Sequence, residues 1–504
     1  MPKQAIFFLI DTQGTNCVGC YAGEPGLQTV HIDRLATQGV RFDRAYTCSP
    51  VCGPARSAIF TGLYPHSNGV LGNDMAPHLD IPSLGQRLSD AGVHAAYIGK
   101  WHLDGTDYFG SGQAAAGWDP EYWFDGRNYL DSLPDQKARD LSRRVLGPEE
   151  IKAEGITAEF THAHRSADRA IDFIRRYRDE DFLLVVSIDE PHHPFICPEP
   201  FASAFESFEL PIGPAVDDPL TNKPRHQQEW AQAAAAGRSA VREKEGKAYL
   251  HSPRYFACNS YSDFEVGRVL TEIDQTLPQA LVVYTADHGE MGQAHRLGGK
   301  GPVVYEEITR IPLIVRWPEK APEQSVMPHP VSHVDLVPTF LDYFGLPLPA
   351  LVQGKSLLEA IRDPSQRVHD AIFIEYNRYE IDHDGFGAFF PQRCIFDGRY
   401  KLALNLLDTD ELYDLSTDPA ELHNRIDDPA YASARDQLHD ALLDWMNRTR
   451  DPMRGPHWGR RAWRDLGGSA FQGPTRPRPW DETYFPSTLL YDTGRPIERL
   501  VYDK

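Results

Sequence analysis

Long hydrophobic runs are missing from the start of this chain. The one apolar stretch there, Ala5 to Ile10, is six residues long, follows a single lysine and meets Asp11. It is too short for the core of a secretory signal and far short of the roughly 20 residues that a membrane-spanning helix needs. The expectation is a mature protein that begins here, in the cytoplasm, without a membrane partner. A surplus of positive charge is missing as well: 51 Lys and Arg stand against 72 Asp and Glu, a formal net charge of −21 over 504 residues. That balance argues against nucleic acid or an anionic membrane surface as a partner. An anionic substrate would need a locally positive pocket. Cysteine is sparse, seven residues and an odd number, which argues against a disulfide framework. Cys17 and Cys20 form a CxxC with no second pair at zinc spacing, and the expectation is that they pack in the core.

What the chain does have is a recurring alternation. Apolar runs of five to eight residues ("AIFFLI", "AAYIG", "FLLVVSI", "ALVVYTA", "IPLIVRW") are each followed by polar residues and then by a helical pattern. Such runs read as parallel strands buried on both faces with crossover helices, an α/β sheet. In the segment "IPSLGQRLSDAG", Leu84, Leu88 and Ala91 share one helical face, with Pro82 near the start and Gly92 as the stop. Reactive residue types sit just past the strands: Asp11 after the first, Lys100 and His102 after the second, His192 after the third, Asp287 and His288 after the fourth. In an open α/β sheet the ligand crevice lies outside the carboxyl ends of the strands, so four separate segments point to one place.

The expected domains are a catalytic α/β domain over 1–365, a smaller antiparallel α+β subdomain over 366–448, and an extended Pro/Arg/Trp-rich arm over 449–504. In the second, Asp397-Gly398 signals a hairpin, and Leu438, Ala441, Leu442 and Trp445 form the apolar stripe of a helix. The aromatics of the arm need cover, from the same chain or from a neighbour in a homo-oligomer. Two polar insertions, about 104–155 and 197–250, show no strong core pattern and are expected to rim the site.

The stretch "CSPVCGPARSAIFTG" holds the most specific chemistry. Pro54 suits a first helical turn and Gly62 a helix end, which puts Cys52 at the positive end of a short helix dipole. That is an anion-binding location, and Arg56, one turn on, can reach back as a bidentate partner for a tetrahedral oxyanion.

Cys52-Gly53-Pro54-Ala55-Arg56 followed by "SAIFTGLYPH" resembles the C-x-P-x-R signature of the type I sulfatases. The blocks "HIDRLATQGVRFDRAYTCSP", "IGKWHL", "EPHHP", "TADHGEMG", "GGKGPVVYEEITRIPLIVRWP" and "DELYDLSTDPAELHN" resemble the same family in the same order, covering residues 5 to about 445. The resemblance implies an alkaline-phosphatase-like fold, a mixed and mainly parallel sheet between helices. It also implies a cysteine converted to formylglycine by a formylglycine-generating enzyme, one divalent metal, and hydrolysis of sulfate esters. A hydrated aldehyde attacks sulfur with one hydroxyl and expels sulfate with the other, so no second attack at sulfur is needed. Carried over residue by residue, Asp11, Asp287 and His288 match metal ligands together with the group derived from Cys52. Lys100 and Lys300 match sulfate-binding lysines, His102 the histidine that assists breakdown of the sulfo-enzyme, and His192 the one that protonates the leaving oxygen.

Two positions depart from the pattern. Many relatives carry a second acid after the first, where this chain has Thr12, so a ligand comes from that residue's hydroxyl or carbonyl or from Gln13. His288 stands where some members have Asn, which moves the metal preference from Ca²⁺, still the first expectation, toward Mn²⁺, with Mg²⁺ also open. Phosphonate monoester hydrolases also combine a formylglycine with a non-acidic residue there, which makes phosphonate or phosphate diesters the alternative substrate class. The resemblance favours a small anionic sulfated sugar, with Trp101, Asn73 and His193 as further pocket candidates.

Overall fold

The computed structural model describes residues 2–23, 26–234, 240–380, 389–465 and 489–495. Strands β1 (Gln4–Ile10), β2 (Val40–Phe42), β3 (His94–Gly99), β4 (Phe182–Ile188), β5 (Leu281–Ala286), β6 (Leu313–Arg316) and β7 (Ser325–Met327) form one sheet in the order β7-β2-β6-β5-β1-β4-β3. The four strands β5, β1, β4 and β3 are mutually parallel. Their unbroken apolar runs are explained by burial on both faces. Ala5, Phe7 and Leu9 meet the helices α2 (Cys52–Thr61), α3 (Leu84–Asp90) and α6 (Leu336–Phe344). Ile6, Phe8 and Ile10 meet α1 (Val30–Thr37), α4 (His162–Tyr177) and α5 (Pro253–Thr276) on the other side. Each such side chain taken fully out of water contributes about 1.5–3 kcal/mol.

The run "IPLIVRW" differs from its expected direction. As β6 it pairs antiparallel with both β5 and β2. The segment 287–312 is spent at the carboxyl end of β5, where it sets His288 and Lys300 beside Cys52, so the next strand starts from that end, with Leu313 opposite Thr285, and runs the other way. The helix at 84–90 starts on a Ser83–Gln86 capping box just after Pro82, and Gly92 at φ +79° ends it, with its own amide on the Ser89 carbonyl at 3.0 Å and the Val93 amide on the Leu88 carbonyl at 2.9 Å. The insertion at 104–155 also differs from expectation. Trp118, Tyr122, Trp123 and Phe124 are all buried and extend the core beneath the sheet's edge.

Downstream, β8 (Ile372–Tyr376), β9 (Gln392–Phe396), β10 (Tyr400–Asn405) and β11 (Glu411–Asp414) make an antiparallel meander. Its β9–β10 turn contains Gly398 at φ +98°, a conformation that favours glycine. Helix α7 (Ala432–Arg448) covers one face with Leu438, Leu442, Leu443, Trp445 and Met446, while Ala441, placed on the stripe from sequence, is exposed. Of the arm, residues 466–488 and 496–504 lie outside the described residues, and with them most of the segment to which an oligomer contact was assigned.

Candidate active site

The reactive side chains converge at the carboxyl edge of β1, β3, β4 and β5. Helix α2 begins there: Val51 is its extended N-cap, Cys52 its first residue, and Gly62 closes it at φ +70°. The Gly53 amide, one of the donors a helix start leaves unpaired, is taken by Asn73 Oδ1 at 2.9 Å. Asn73 therefore seats the helix. Beneath α2, Phe60, Tyr97, Trp101, Trp118 and Trp123 pack ring against ring, with centroids 4.9–6.1 Å apart. Trp101 is thus a core residue, not a pocket one, and His193 has an exposed ring.

Around Cys52 Sγ stand Lys300 Nζ at 2.6 Å, His288 Nε2 at 3.1 Å and Asp11 Oδ1 at 3.8 Å. Burial and the Asp11 carboxylate push the thiol up, but Lys300, Lys100 and His288 outweigh them and hold it well below the ordinary cysteine range. Lys300 responds in the opposite sense: burial works against its charge, yet Cys52 and its other anionic neighbours keep the ammonium charged.

Arg56 does not reach the oxyanion position. Its side chain is wholly buried, with Nη2 on Asp11 at 2.9 Å and Nε on Asp287 at 3.0 Å, while Nη1 bonds the Lys100 carbonyl at 2.7 Å and Ser187 Oγ at 2.9 Å. Its donors are spent on aligning two strand-end carboxylates, so its expected role is corrected from oxyanion binder to clamp. Lys100 Nζ lies 2.7 Å from Asp11 Oδ2 and 3.3 Å from Asp189 Oδ1, above the Tyr108 ring. His102, at φ +59°, sits with Nε2 3.2 Å from Asp74 Oδ1 and with a buried Nδ1 that has no hydrogen-bond partner among the described residues. Burial alone would discharge it; the bond to Asp74, with help from Cys52, raises it instead. His192 turns Nε2 toward Lys300 Nζ at 3.5 Å.

Thr12 is corrected too. Its hydroxyl donates to Asp11 Oδ1 at 2.6 Å and its amide to Asp287 Oδ1 at 3.1 Å, so it orients both carboxylates. Gln13 binds Asn259 and Tyr284. Among the described residues, the group suited to a cation is Asp11, Cys52, Asp287 and His288, one donor atom from each, all within 4.8 Å of one another and all buried. Burial, then the nearby Asp11 charge, raises the Asp287 carboxyl. Two crowded carboxylates in a dry site are what a divalent cation would relieve, so the donor set fits one. Asp74, Tyr108, Ser187 and Asp189 were missed from sequence. The strand-end rule that found His192 covers Asp189 equally, whereas Tyr108 lies in an aperiodic insertion with no signal of its own.

A mainly parallel sheet with a buried carboxylate, imidazole and sulfur group at its strand ends is in keeping with the alkaline-phosphatase-like fold that the sequence resemblance implies. Comparison with known proteins carries this further. The sulfatase family profile matches residues 3–346, and the N-sulphoglucosamine sulphohydrolase C-terminal profile matches residues 296–448. The chain belongs to the sulfatase family, enzymes that hydrolyse sulfuric ester bonds. It is 45% identical to the uncharacterized sulfatase YidJ of Escherichia coli (strain K12), covering 98% of this chain and 97% of that one. It is 27% identical to an N-acetylglucosamine-6-O-sulfatase of Bacteroides thetaiotaomicron, covering 88% and 86%. Two solved structures share the fold. One, a complex with its substrate D-glucosamine-2-N,6-O-disulfate, has a TM-score of 0.73 at 22% identity, covering 90% of this chain and 99% of that one. The other, the phosphonate monoester hydrolase of Agrobacterium radiobacter, has a TM-score of 0.70 at 21% identity, covering 89% and 96%. Among the described residues no helix is long and apolar enough to cross a membrane.

Proposed function

We propose that this chain hydrolyses sulfate monoesters of a small sulfated sugar or other small organic sulfate, with Cys52 converted to formylglycine by a formylglycine-generating enzyme. The observation that carries the reading is the placement of Cys52 Sγ 2.6 Å from Lys300 Nζ inside the four-donor group. The aldehyde supplies, as its hydrate, one hydroxyl to attack sulfur and a second to expel sulfate. Asp11, Asp287, His288 and the group derived from Cys52 would hold one divalent metal, Ca²⁺ before Mn²⁺ or Mg²⁺. That metal supplies Lewis-acid polarisation of a sulfate oxygen and of the nucleophile.

The chain's own side chains do the rest. Lys300 and Lys100 bring positive charge to the sulfate in an otherwise acidic protein. His192 gives a proton from Nε2 to the leaving oxygen, and His102, whose Nδ1 has no partner among the described residues, takes the proton of the second hydroxyl. Arg56 and Thr12 hold the metal-binding carboxylates in place. The reading includes a cytoplasmic location, supported by the sparse and odd count of seven cysteines, which argues against a disulfide framework. The named activity of the Bacteroides thetaiotaomicron relative supports a sulfated sugar as substrate.

The alternative, a phosphonate monoester or phosphodiester, is favoured by the non-acidic Thr12 beside Asp11. Measuring kcat/KM for sulfate monoesters and phosphonate monoesters with the same leaving group decides between them, since discrimination is the ratio of those values. A higher value for the sulfate ester is expected. Peptide mass analysis of active protein should find an aldehyde at position 52, and active protein carrying only cysteine there would refute the nucleophile.

A further inference from the structure

His192 is held by groups that no motif indicates. Its Nδ1 lies 2.8 Å from the His193 carbonyl oxygen and 3.0 Å from the Tyr108 hydroxyl. A carbonyl can only accept, so Nδ1 carries a hydrogen. Tyr108 spends its own hydroxyl hydrogen on Asp189 Oδ1, which leaves its oxygen able to accept from Nδ1–H. The phenol ring also lies along the imidazole, with centroids 4.9 Å apart and planes 28° from parallel. At the far edge of the imidazole, Nε2 faces Lys300, whose ammonium touches Cys52 Sγ. The ring therefore bridges a carboxylate-backed phenol on one side and the nucleophile position on the other. Two further charges act on this group: Lys100, 3.3 Å from Asp189 and 3.9 Å above the Tyr108 ring centre, and the Asp11 carboxylate, 2.7 Å from the Lys100 ammonium.

We propose that Tyr108 and Asp189 are positioning residues for His192: they fix its ring and bring the Asp189 negative charge, through the phenol, to Nδ1–H of the imidazolium that donates from Nε2. The inference rests on the reading of His192 as the leaving-group acid. In that step the bond from sulfur to the leaving oxygen breaks as the nucleophile, attacking as its deprotonated oxygen, forms its bond to sulfur. The electron pair stays on the leaving oxygen, and the Nε2 proton joins it. His192 is left neutral with its hydrogen on Nδ1, the tautomer that the His193 carbonyl and Tyr108 already require.

The test is a leaving-group series: kcat/KM of the metal-loaded full chain for aryl sulfates from 4-nitrophenyl to phenyl, and for an alkyl sulfate. A good leaving group needs no proton; a poor one does. Tyr108→Phe keeps the ring stacking and removes only the oxygen. It should lower kcat/KM about tenfold for phenyl and alkyl sulfate and leave 4-nitrophenyl sulfate within about twofold. Asp189→Asn should act in the same direction. His192→Ala should show the same trend at about 10²–10³-fold, and adding Tyr108→Phe to it should cost nothing more. A Tyr108→Phe loss that is equal for every ester would mean that the phenol acts on binding through Lys100, and would overturn the proposal. A flat profile for His192→Ala would remove the acid reading and the proposal with it. A steep His192→Ala profile beside a flat Tyr108→Phe one removes the proposal alone.

Discussion

Substituting Arg56 separates a side chain that binds the oxyanion from one that holds the site together. Its guanidinium donates to Asp11, Asp287, the Lys100 carbonyl and Ser187, and none of its side chain is exposed. Methionine in its place, similar in length and uncharged, leaves Asp287 without its buried cation and Asp11 with Lys100 alone, while the Lys100 carbonyl keeps Tyr97 and Ser187 as donors. Breaking a buried ion pair from one side costs about 3–5 kcal/mol. A loss of that size is a large share of the roughly 5–15 kcal/mol that a folded domain has. A cation bound by Asp11 and Asp287 offsets part of it, since a ligand at 100 times its Kd adds about 2.7 kcal/mol to the folded state. The assay is urea unfolding followed by tryptophan fluorescence, with saturating Ca²⁺ and with chelator, for wild type, Arg56→Met and Arg56→Met/Asp287→Asn. The single variant should unfold earliest in chelator and recover in part with Ca²⁺. The double variant should sit above the single one in chelator, because one of the orphaned charges is gone. If Arg56→Met unfolds at the wild-type urea concentration and loses only KM for the sulfate ester, the guanidinium binds the oxyanion and the clamp argument is wrong.

Three further outcomes are expected. Cys52→Ala should lose about a thousandfold or more in kcat, and Cys52→Ser should release one equivalent of alcohol and then stall, read by burst kinetics. Asp287→Asn should weaken Ca²⁺ and Mn²⁺ binding by at least about tenfold in isothermal titration, with kcat/KM restored in part by excess metal. Glu190 is buried with Oε2 unpartnered among the described residues, and burial followed by the Asp189 charge raises its carboxyl to about 8. A carboxyl with its folded value raised contributes stability that is complete below the unfolded value near 4 and is lost as pH climbs through about 8. The urea midpoint should therefore fall between pH 5 and 8 in wild type, and Glu190→Gln should flatten that fall; an unchanged slope in the variant would count against the burial argument.

Much of this protein was set by the order of its residues. Runs such as Phe182–Ile188, apolar at every position but Ser187, are satisfied by a strand covered on both faces, and Asp11, His192, Asp287 and His288 just past such runs mark its carboxyl edge. The helix start at Cys52 and the hairpin at Asp397-Gly398 were likewise local, because backbone constraint at Pro and Gly acts over a few residues. Other features were decided only by assembly. The direction of β6 depends on where segment 287–312 turns, and the burial of Trp101 and Trp118 on five rings from separate segments. Arg56 became a clamp because two carboxylates, 276 positions apart in the chain from Asp11 to Asp287, close on it from both sides. Tyr108 joined Asp189 and His192 only when an aperiodic insertion folded across the end of β4. Sequence order reports what each residue requires of its surroundings; which partner meets that requirement is fixed by distances that exist only once the chain has folded.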